Sequence, residues 1–392
     1  MAGVDIAVVG LGLVGSSALY QLAKRGFNVV GFDQFDPPHT LGSSTGDTRI
    51  TRLAIGEGHF YTPFVMRSHQ IWRELEATTG LELLNSIGGL MMASRSYGSE
   101  LHGSVNFFDE TVSAAKKYDI AYEILGADEI RRRYPQFNLV GDEIGYFEPT
   151  AGFIRPENCI RANLLMAKKF GAQVVVNERI ASISVDPKDK NYVGIRGENS
   201  GFWGVKKVIV SAGAWVTKFL PDDCKNKFQV QRQVQYWFKS TPAFYESFLP
   251  DRFPIFIWQN NGGFSYGFPA IDGLDGGVKI ATEKTEQTTP GSIRRYVTSD
   301  EFEDMYGNFV KDRLRGLTPN CVKTAVCMYT KTPDSHFVVD LHPEYPQIII
   351  ASPCSGHGAK HSGGIGEALA ELATEGKTRY DISHFGLNRF KD

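Results

Sequence analysis

The first 33 residues carry the pattern that most constrains the fold of this chain. A short β-rich run from Asp5 to Val9 leads into the glycine-rich run from Gly10 to Gly15, and residues 16–25 follow with apolar side chains at helical spacing. A glycine ends the predicted helix, and a second apolar run reaches Asp33. Strand, glycine turn, helix and strand in this order form a βαβ unit, which predicts an α/β domain built on a parallel sheet.

The glycines of this run and the acid that follows it are typical of a dinucleotide-binding turn. Gly10 permits a tight turn, Gly12 lets the backbone approach a pyrophosphate, and Gly15 lets helix and strand pack closely. The helix N-terminus offers N–H groups to phosphates, and Asp33 is placed to accept hydrogen bonds from ribose hydroxyls. The motif predicts FAD or NAD without deciding between them. Its early position and the Ser/Gly/Arg-rich segment that follows it, 36–53, favour FAD.

The composition excludes several classes of protein. The chain has 392 residues, of which 42% are hydrophobic and 22% charged, typical of a globular protein with two or three domains. The net charge is only −2, so we expect neither a nucleic-acid nor an anionic-membrane partner. The five cysteines give neither a disulfide framework nor a zinc pair. No apolar run reaches the roughly 18 residues of a membrane span, and no signal peptide is recognisable. We therefore expect a cytoplasmic protein.

The pattern changes in the middle of the chain. Residues 228–280 alternate aromatic, apolar and polar side chains, which predicts an antiparallel sheet, whereas residues 347–374 return to a strand, a glycine-rich loop and a helix. We predict an α+β fold with an α/β dinucleotide-binding domain and a mixed-sheet substrate domain. The first would be discontinuous and formed by residues 1–83, 151–225 and 321–392; the second would be formed by residues 84–150 and 226–320. A ligand site is expected between the two.

Motifs spread along the whole chain carry a more specific signal. They are Pro37-Pro38-His39, Gly42-Ser43-Ser44, Gly46-Asp47-Thr48-Arg49, Cys327-Met328-Tyr329-Thr330 and Ser355-Gly356-His357-Gly358-Ala359-Lys360. Together with the N-terminal glycine turn, these motifs resemble the sarcosine oxidase family of flavoproteins, which includes N-methyltryptophan, pipecolate and fructosyl amino acid oxidases. The resemblance covers nearly the whole chain.

This resemblance implies an FAD-dependent oxidase of a secondary amino acid. Such an enzyme oxidises a C–N bond of an N-substituted or cyclic amino acid to an imine and passes the electrons to O2, giving hydrogen peroxide. The resemblance also implies covalent FAD, held by a thioether between Cys327 and the 8α-methyl position of the flavin ring. The protein would be a monomer whose partners are the small amino acid and O2. No metal would be needed, because the flavin carries the electron chemistry.

The resemblance further assigns the FAD site. Besides Cys327, the matching residues are Gly10, Gly12, Leu13, Val14, Gly15, Asp33, Gln34, His39, Ser43, Ser44, Arg49, Ile50, Ile180, Ser211, Ala212, Gly213, Trp215, Gly356, His357, Gly358 and Lys360. Three other cysteines, Cys159, Cys224 and Cys321, are expected to be inert. The role of Cys354 is left open.

The substrate site implied by the resemblance combines charged and aromatic side chains. Arg52 and Lys360 match the residues that hold the substrate carboxylate, for which a guanidinium fork and a mobile ammonium are suited. The other matches are Arg49 beside the flavin, His357 in the active site, and Tyr266 and Tyr329 in the substrate pocket. Most other histidines, among them His102 and His361, are expected to be structural.

Lys279 is out of place in the apolar run from Gly277 to Ile280. Burial of an ammonium costs free energy unless a partner or a water molecule holds it. The matching lysine in the family sits over the flavin N5 through a water molecule and promotes reaction with O2. A cation at that position would stabilise superoxide, so Lys279 is the predicted oxygen-activating residue.

Glu283 departs from the family pattern in a way that concerns the substrate. It stands where sarcosine oxidases have a histidine and where fructosyl amino acid oxidases have an acid. Ala359 and His361 replace phenylalanines of the sarcosine enzymes, which indicates a roomier and more polar pocket. If Glu283 faces the pocket, we predict an active-site role that favours a larger or more polar N-substituent over a methyl group. The alternative, that it points to solvent, has equal weight.

Three alternative functions stay open at this stage. The chain could be a fructosyl amino acid or pipecolate-type oxidase. It could instead be a flavin dehydrogenase that uses an acceptor other than oxygen, against which Lys279 argues. It could also be a flavin-containing subunit without turnover, against which the presence of Arg52, Lys360 and Tyr266 argues.

Overall fold

The computed structural model describes residues 3–94, 101–186, 189–220, 222–260 and 263–390. The helices are α1 (Leu13–Lys24), α2 (Thr62–Thr79), α3 (Phe107–Lys117), α4 (Ala127–Arg133), α5 (Pro156–Lys169), α6 (Ser299–Phe309) and α7 (Ser362–Glu375). The first ten strands are β1 (Val4–Val9), β2 (Val29–Phe32), β3 (Arg49–Thr51), β4 (Leu84–Ser86), β5 (Gly89–Ser94), β6 (Glu123–Gly126), β7 (Glu143–Glu148), β8 (Gly152–Ile154), β9 (Gln173–Val175) and β10 (Ile180–Asp186). The remaining strands are β11 (Asp189–Gly197), β12 (Phe202–Val210), β13 (Gln229–Ser240), β14 (Ile255–Asn260), β15 (Gly263–Phe268), β16 (Val278–Ala281), β17 (Leu317–Lys331), β18 (Val338–Leu341) and β19 (Ile348–Ser352).

The first sheet contains the predicted βαβ unit. Strands β1 and β2 pair in parallel, and α1 connects them. Among the described residues this sheet has eight strands, in the order β10-β11-β12-β1-β2-β9, with β19 beside β12 and β18 beside β19. The parallel pairing of β1 with β12 and of β12 with β19 brings the carboxyl ends of these strands to one edge. Ligands of α/β sheets bind at such an edge.

The second sheet is built from the middle of the chain, in the order β17-β13-β16-β15-β14-β5-β7-β6. Most neighbours are antiparallel, but β14 and β5 run parallel, so the sheet is mixed. Side chains alternate between the two faces of a strand. Along β13, Val234, Tyr236 and Phe238 belong to the apolar core on one face. The residues between them, Gln235 and Trp237, therefore lie on the other face.

A small third sheet joins β3, β8 and β4. Strand β3 follows the polar segment 36–48 and carries Arg49. Gly46, near the end of this segment, has φ +103°, a conformation that favours glycine. The segment therefore turns sharply before it enters β3. Within the described ranges, no helix combines the length and apolar character that crossing a membrane requires.

The α+β fold class predicted from the sequence is confirmed. Helix α3 begins at Phe107, and the acidic side chains of Asp109 and Glu110 in its first turn stabilise its N-terminus. The division into two domains stays a prediction. By its pairing with β13, β17 belongs to the second sheet, although its residues from 321 onward are predicted for the first domain.

Candidate active site

A deep cleft lies at the carboxyl edge of the first sheet. The space within the cleft, including the solvent at its open mouth, is about 1420 Å³. Leu13 and Val14, the first residues of α1, line the cleft, and the first turn of this helix contains no acidic residue. The positive end of the helix dipole is therefore directed to the cleft. This polarity suits the phosphates of a dinucleotide.

Two glycines of the N-terminal turn cannot be replaced without a collision. A Cβ atom on Gly15 would lie 1.8 Å from the carbonyl oxygen of Gly10, and one on Gly10 would lie 2.5 Å from the carbonyl oxygen of Ser211. Gly10 also has φ +92°. These contacts explain the close packing of turn, helix and strand that the sequence predicts.

Polar groups at the cleft fit the phosphates and riboses of FAD. The Asp33 carboxylate accepts a hydrogen bond from the Leu11 N–H at 2.8 Å, which fixes it at the cleft wall. Among the described residues, the buried hydroxyls of Ser43 and Ser352 line the cleft without a hydrogen-bond partner. Because buried polar groups normally have partners, these hydroxyls are suited to a bound polar ligand.

Most residues of the predicted FAD site line this cleft. They are Gly10, Gly12, Leu13, Val14, Asp33, Gln34, His39, Ser43, Ser44, Arg49, Ile180, Ser211, Ala212, Gly213, Trp215, Gly356 and Gly358. The other described members of the predicted set, Gly15, Ile50, Cys327, His357 and Lys360, lie outside the lining. Gly15 packs beneath the turn, and the roles of all these residues toward FAD stay predictions.

Cys327 faces the same side of β17 as Tyr329 and Lys331, because side chains alternate along a strand. Tyr329 lines the cleft, and the buried Cys327 Sγ accepts a hydrogen bond from Gln235 Nε2 at 3.1 Å. The side chains of Tyr329 and Tyr266 lie near each other and interact electrostatically. Burial raises the pKa of Tyr266 to about 12, so its phenol is neutral at physiological pH. One strand thus carries the predicted attachment residue, a cleft tyrosine and a cation.

Arg52 and Lys360 meet around a buried carboxylate, Glu57. Arg52 Nη2 donates to Glu57 Oε2 at 2.6 Å, and Lys360 Nζ donates to Glu57 Oε1 at 3.4 Å. Burial alone would raise the pKa of Glu57, but the two cations hold it well below its usual range. Burial lowers the pKa of Lys360 to about 8, against the opposing effect of Glu57. A substrate carboxylate that binds both cations therefore has to share them with Glu57.

Two histidines extend this cluster. His102 Nδ1 lies 3.2 Å from Glu57 Oε1, and the His102 ring stacks on that of His357 with centroids 5.3 Å apart. His357 Nδ1 lies 4.0 Å from the same carboxylate oxygen. Burial lowers the pKa of His357 well below its usual range, so this ring is neutral at physiological pH. His357 therefore adds no positive charge to the cluster.

Lys279 is buried in β16, where the sequence predicts an apolar strand. Its Nζ donates to the carbonyl oxygens of Gly46 at 2.6 Å and Thr48 at 2.9 Å. Burial, reinforced by the charge of Arg49, lowers the pKa of Lys279 well below its usual range. Arg49 lines the cleft and also donates to the Thr48 carbonyl, at 2.8 Å. The structure therefore brings both cations to the loop that precedes β3.

Glu283 is turned inward. Its side chain is only 12% exposed, and Oε1 accepts a hydrogen bond from Lys331 Nζ at 3.1 Å. His102 Nε2 lies 3.9 Å from Glu283 Oε2. A Cβ atom on Gly356 would lie 3.0 Å from His102 Nε2 and 2.9 Å from the Tyr329 ring. The Glu283–Lys331 pair thus adjoins the tyrosine of the cleft, and its contact with a substrate stays a prediction.

His361 is fully buried, and in the described part of the chain neither of its ring nitrogens has a hydrogen-bond partner. Its ring packs against Tyr61 and Phe337, with centroids 5.3 and 5.4 Å apart. Burial lowers its pKa well below the usual range. A neutral imidazole at this position makes the aromatic cluster with Tyr61 and Phe337 more polar than a phenylalanine would.

Sequence reasoning missed four residues of the site: Glu57, His102, Gln235 and Lys331. Two cations buried together require a nearby anion, which was a usable signal for Glu57, but the sequence contains too many acids to choose among. Lys331 has the same parity on β17 as Cys327 and Tyr329, and this pattern could have revealed it. His102 and Gln235 gain their roles only through contacts between distant segments.

Comparison with known proteins assigns the class. A family model described as FAD dependent oxidoreductase matches residues 5–372, and the chain belongs to this family. The protein is therefore an FAD-dependent oxidoreductase. The chain is 39% identical over 388 residues to the monomeric sarcosine oxidase of Bacillus sp. (strain B-0618), which covers 98% of this chain and 96% of that protein. It is 30% identical over 391 residues to the N-methyl-L-tryptophan oxidase of Yersinia pestis (strain Pestoides F), which covers 99% of each. The resemblance expected from the motifs is confirmed.

Solved structures show the same fold. NikD, an unusual amino acid oxidase essential for nikkomycin biosynthesis, matches with a TM-score of 0.82 at 21% identity over 98% of each chain. The L-proline dehydrogenase from P. horikoshii matches with a TM-score of 0.80 at 20% identity over 99% of this chain and 98% of the other. At these identities, the likeness concerns the fold alone.

Proposed function

We propose that this FAD-dependent oxidoreductase is an oxidase of N-substituted amino acids. The observation that carries the proposal is the buried pair of cations, Arg52 and Lys360, beside the dinucleotide cleft. Relatives named sarcosine oxidase and N-methyl-L-tryptophan oxidase support this substrate class. A flavin subunit without turnover is disfavoured, because Glu57 offers a single carboxylate to two buried cations, which leaves positive charge for an anionic ligand.

In this proposal the protein orients the substrate, and FAD, when bound, supplies the two-electron acceptor. Arg52 and Lys360 hold the substrate carboxylate, which fixes the position of the adjacent Cα–N unit. The substrate amine must be unprotonated to be oxidised to an imine. The neutral phenol of Tyr266 and the neutral ring of His357 add no charge beside that amine.

O2 is the proposed electron acceptor, with hydrogen peroxide as the product. The buried Lys279 supports it: burial lowers the pKa of this amine, but its protonated form, oriented by the carbonyl oxygens of Gly46 and Thr48, would stabilise the anion that forms as oxygen accepts an electron. The second candidate, a dehydrogenase with another acceptor, is favoured by the fold shared with L-proline dehydrogenase. The two are distinguished by the yield of peroxide per imine formed. We expect a ratio of one; turnover only with an artificial acceptor and no peroxide would favour the dehydrogenase.

The Lys279→Met variant locates the oxygen step. We expect its reduced flavin to react with O2 about 10²–10³ times more slowly, with a much smaller effect on reduction by substrate. Lys323→Met is a matched control. Lys323 also lies over the ring of Trp237, as Lys279 does, but its side chain is half-exposed and forms an ion pair with Asp47. Equal and small effects of Lys279→Met on both half-reactions would contradict the role.

The FAD is proposed to be covalently attached through Cys327. Support comes from the position of this buried thiol on the same face of β17 as the cleft residue Tyr329.

The proposal also includes a monomer in the cytoplasm. The five cysteines are all free, as is usual in a reducing compartment.

The preferred substrate is proposed to carry an N-substituent that is larger or more polar than methyl. The inward-facing side chain of Glu283 supports this choice of substrate. Because its carboxylate is already paired with Lys331, a second ammonium on the substrate gains less from it than from an unpaired acid. Pipecolate-type and fructosyl amino acid oxidases stay the alternatives within this class. A substituent that both accepts and donates hydrogen bonds suits the pair best.

A further inference from the structure

Gln235 contacts the sulfur atom of Cys327 in the interior of the second sheet. Its side chain is 1% exposed and that of Cys327 is 2% exposed. Gln235 lies two residues beyond Gln233, the residue directly opposite Cys327, so it occupies a diagonal position on the same face. Its Nε2 donates to Cys327 Sγ at 3.1 Å. A thiol is a weak acceptor, whereas an ionised acceptor makes a much stronger hydrogen bond.

The Gln235 amide is fixed by the loop that carries Gly46. A Cβ atom on Gly46 would lie 2.1 Å from Gln235 Oε1, so the amide fills the space that the missing side chain leaves. The same glycine accepts a hydrogen bond from Lys279 Nζ. Gln235 Oε1 itself has no partner within the described residues. Burial of an amide with a single, weak acceptor is costly, which points to a function for that contact.

Three basic side chains, those of Arg49, Lys279 and Arg295, lie near enough to Cys327 to interact with a negative charge that develops on its sulfur. Arg295 also donates to the carbonyl oxygen of the preceding residue, Val326, at 3.5 Å. These side chains act at longer range, and Gln235 is the group that donates a hydrogen bond to the sulfur. The arrangement is suited to an anionic sulfur at this point of the sheet.

We propose that Gln235 is a positioning residue for covalent attachment of the flavin: its amide holds the Cys327 sulfur in place and stabilises the negative charge that develops on the sulfur as the bond to the flavin forms. The inference rests on the proposed covalent FAD. Attachment forms a bond between Sγ and the 8α-methyl carbon of the flavin. The thiol loses its proton, the methyl group loses one hydrogen, and two electrons pass through the flavin to O2. Thiol, flavin and O2 thus give the thioether and hydrogen peroxide, with the flavin again oxidised.

The test follows attachment directly rather than catalysis. The full-length protein is produced without flavin and mixed with FAD in air, and the flavin retained by acid-precipitated protein is measured over time. Without the amide donor, Gln235→Met should attach flavin about 10–100 times more slowly than the wild type. Gln235→Glu has the same shape but presents a like charge to the sulfur, so it should be slower still. Non-covalent FAD affinity, measured separately, should change little in either variant.

Gln233→Met is the matched control, because this glutamine lies on the same strand and face but binds the Lys284 backbone instead of the sulfur. Its attachment rate should be that of the wild type. Wild-type rates in both Gln235 variants would overturn the proposal, as would a Gln235→Glu rate no slower than that of Gln235→Met. If the wild type retains no flavin after denaturation, the covalent attachment itself is wrong, and the role of Gln235 is overturned with it.

Discussion

Three charged side chains, those of Arg52, Lys360 and Glu57, are buried together at the substrate end of the site. Arg52 and Lys360 share Glu57, which lowers the cost of burying two cations but also competes with an incoming carboxylate. Lys360 is the member of this group whose protonation changes near neutral pH, since burial lowers its pKa to about 8. Below that pH it is a cation, and above it the ammonium loses its proton. Binding of an anion should follow this change.

Affinity for a simple carboxylate without an amine, such as propionate, should therefore fall as the pH rises through about 8. The flavin spectrum reports the binding. Lys360→Met should bind the carboxylate weakly at every pH and show no such fall. Lys360→Arg keeps its charge, so its affinity should stay constant across this range. A wild-type affinity that does not change between pH 6 and 10 would contradict the assignment of Lys360 to the carboxylate.

We expect the Glu283–Lys331 pair to determine which N-substituted amino acid is the best substrate. Comparison of kcat/KM for sarcosine, pipecolate, N-methyltryptophan and a fructosyl amino acid should show that sarcosine is a poor substrate. Glu283→Gln and Lys331→Met should each lower kcat/KM for the best polar substrate about tenfold, with little effect on sarcosine. Because the residues act as a pair, the double variant should lose less than the product of the two. Sarcosine as the best substrate, with both variants silent, would contradict the prediction.

At the scale of elements, the chemistry is distributed by strand alternation and by one glycine turn. The odd-numbered positions of β17 place Cys327, Tyr329 and Lys331 on one face, while the even-numbered Val326 packs in the core. The turn between β1 and α1 is determined by contacts that exclude side chains. Both elements follow local sequence rules.

Gly15→Ala tests the glycine turn. The new methyl group would meet the Gly10 carbonyl oxygen at 1.8 Å, so α1 has to move away from the cleft. Overpacking of this kind typically costs about 1–3 kcal/mol. The variant should be purified with little FAD and unfold at a lower temperature. Gly204→Ala is the control, because a Cβ atom there meets nothing within 4 Å. Full FAD content in Gly15→Ala would contradict this account of the turn.

The sequence could predict what depends on local order. The βαβ unit follows from periodicity and glycine spacing, and the C-terminal motifs identify Cys327 and His357 through a family resemblance. Contacts that join distant segments could not be predicted. Glu57 meets Lys360 across 303 residues and Gln235 meets Cys327 across 92 residues, and no local pattern encodes such pairs.

At the scale of the whole molecule, the candidate site lies where the two large sheets meet. The first sheet provides the dinucleotide turn, and the second provides Tyr329 to the lining of the cleft. Cys327, Tyr266 and Lys279 lie on strands of the same second sheet. A cofactor bound to both would connect them. A thioether at Cys327 would make that connection permanent.

Denaturation tests the covalent connection. Wild-type protein precipitated with acid should stay yellow, and Cys327→Ser should release its flavin to the supernatant. Cys321→Ser should behave as the wild type, because Cys321 lies on the same strand but is half-exposed and bonds to the Lys323 carbonyl. Flavin found entirely in the wild-type supernatant would show that the FAD is not covalently bound.

In the proposed reaction, FAD bound in the cleft oxidises an N-substituted amino acid, and Arg52 and Lys360 hold the carboxylate of that substrate. The most direct measurement is anaerobic mixing of the flavin-loaded protein with a panel of N-methyl, cyclic and N-substituted amino acids, with the flavin absorbance followed. We expect at least one member of the panel to bleach the flavin. Admission of O2 should then restore the colour and form peroxide. The Arg52→Ala variant should require far more substrate for the same bleaching. An oxidised spectrum with every member of the panel would contradict the proposed reaction.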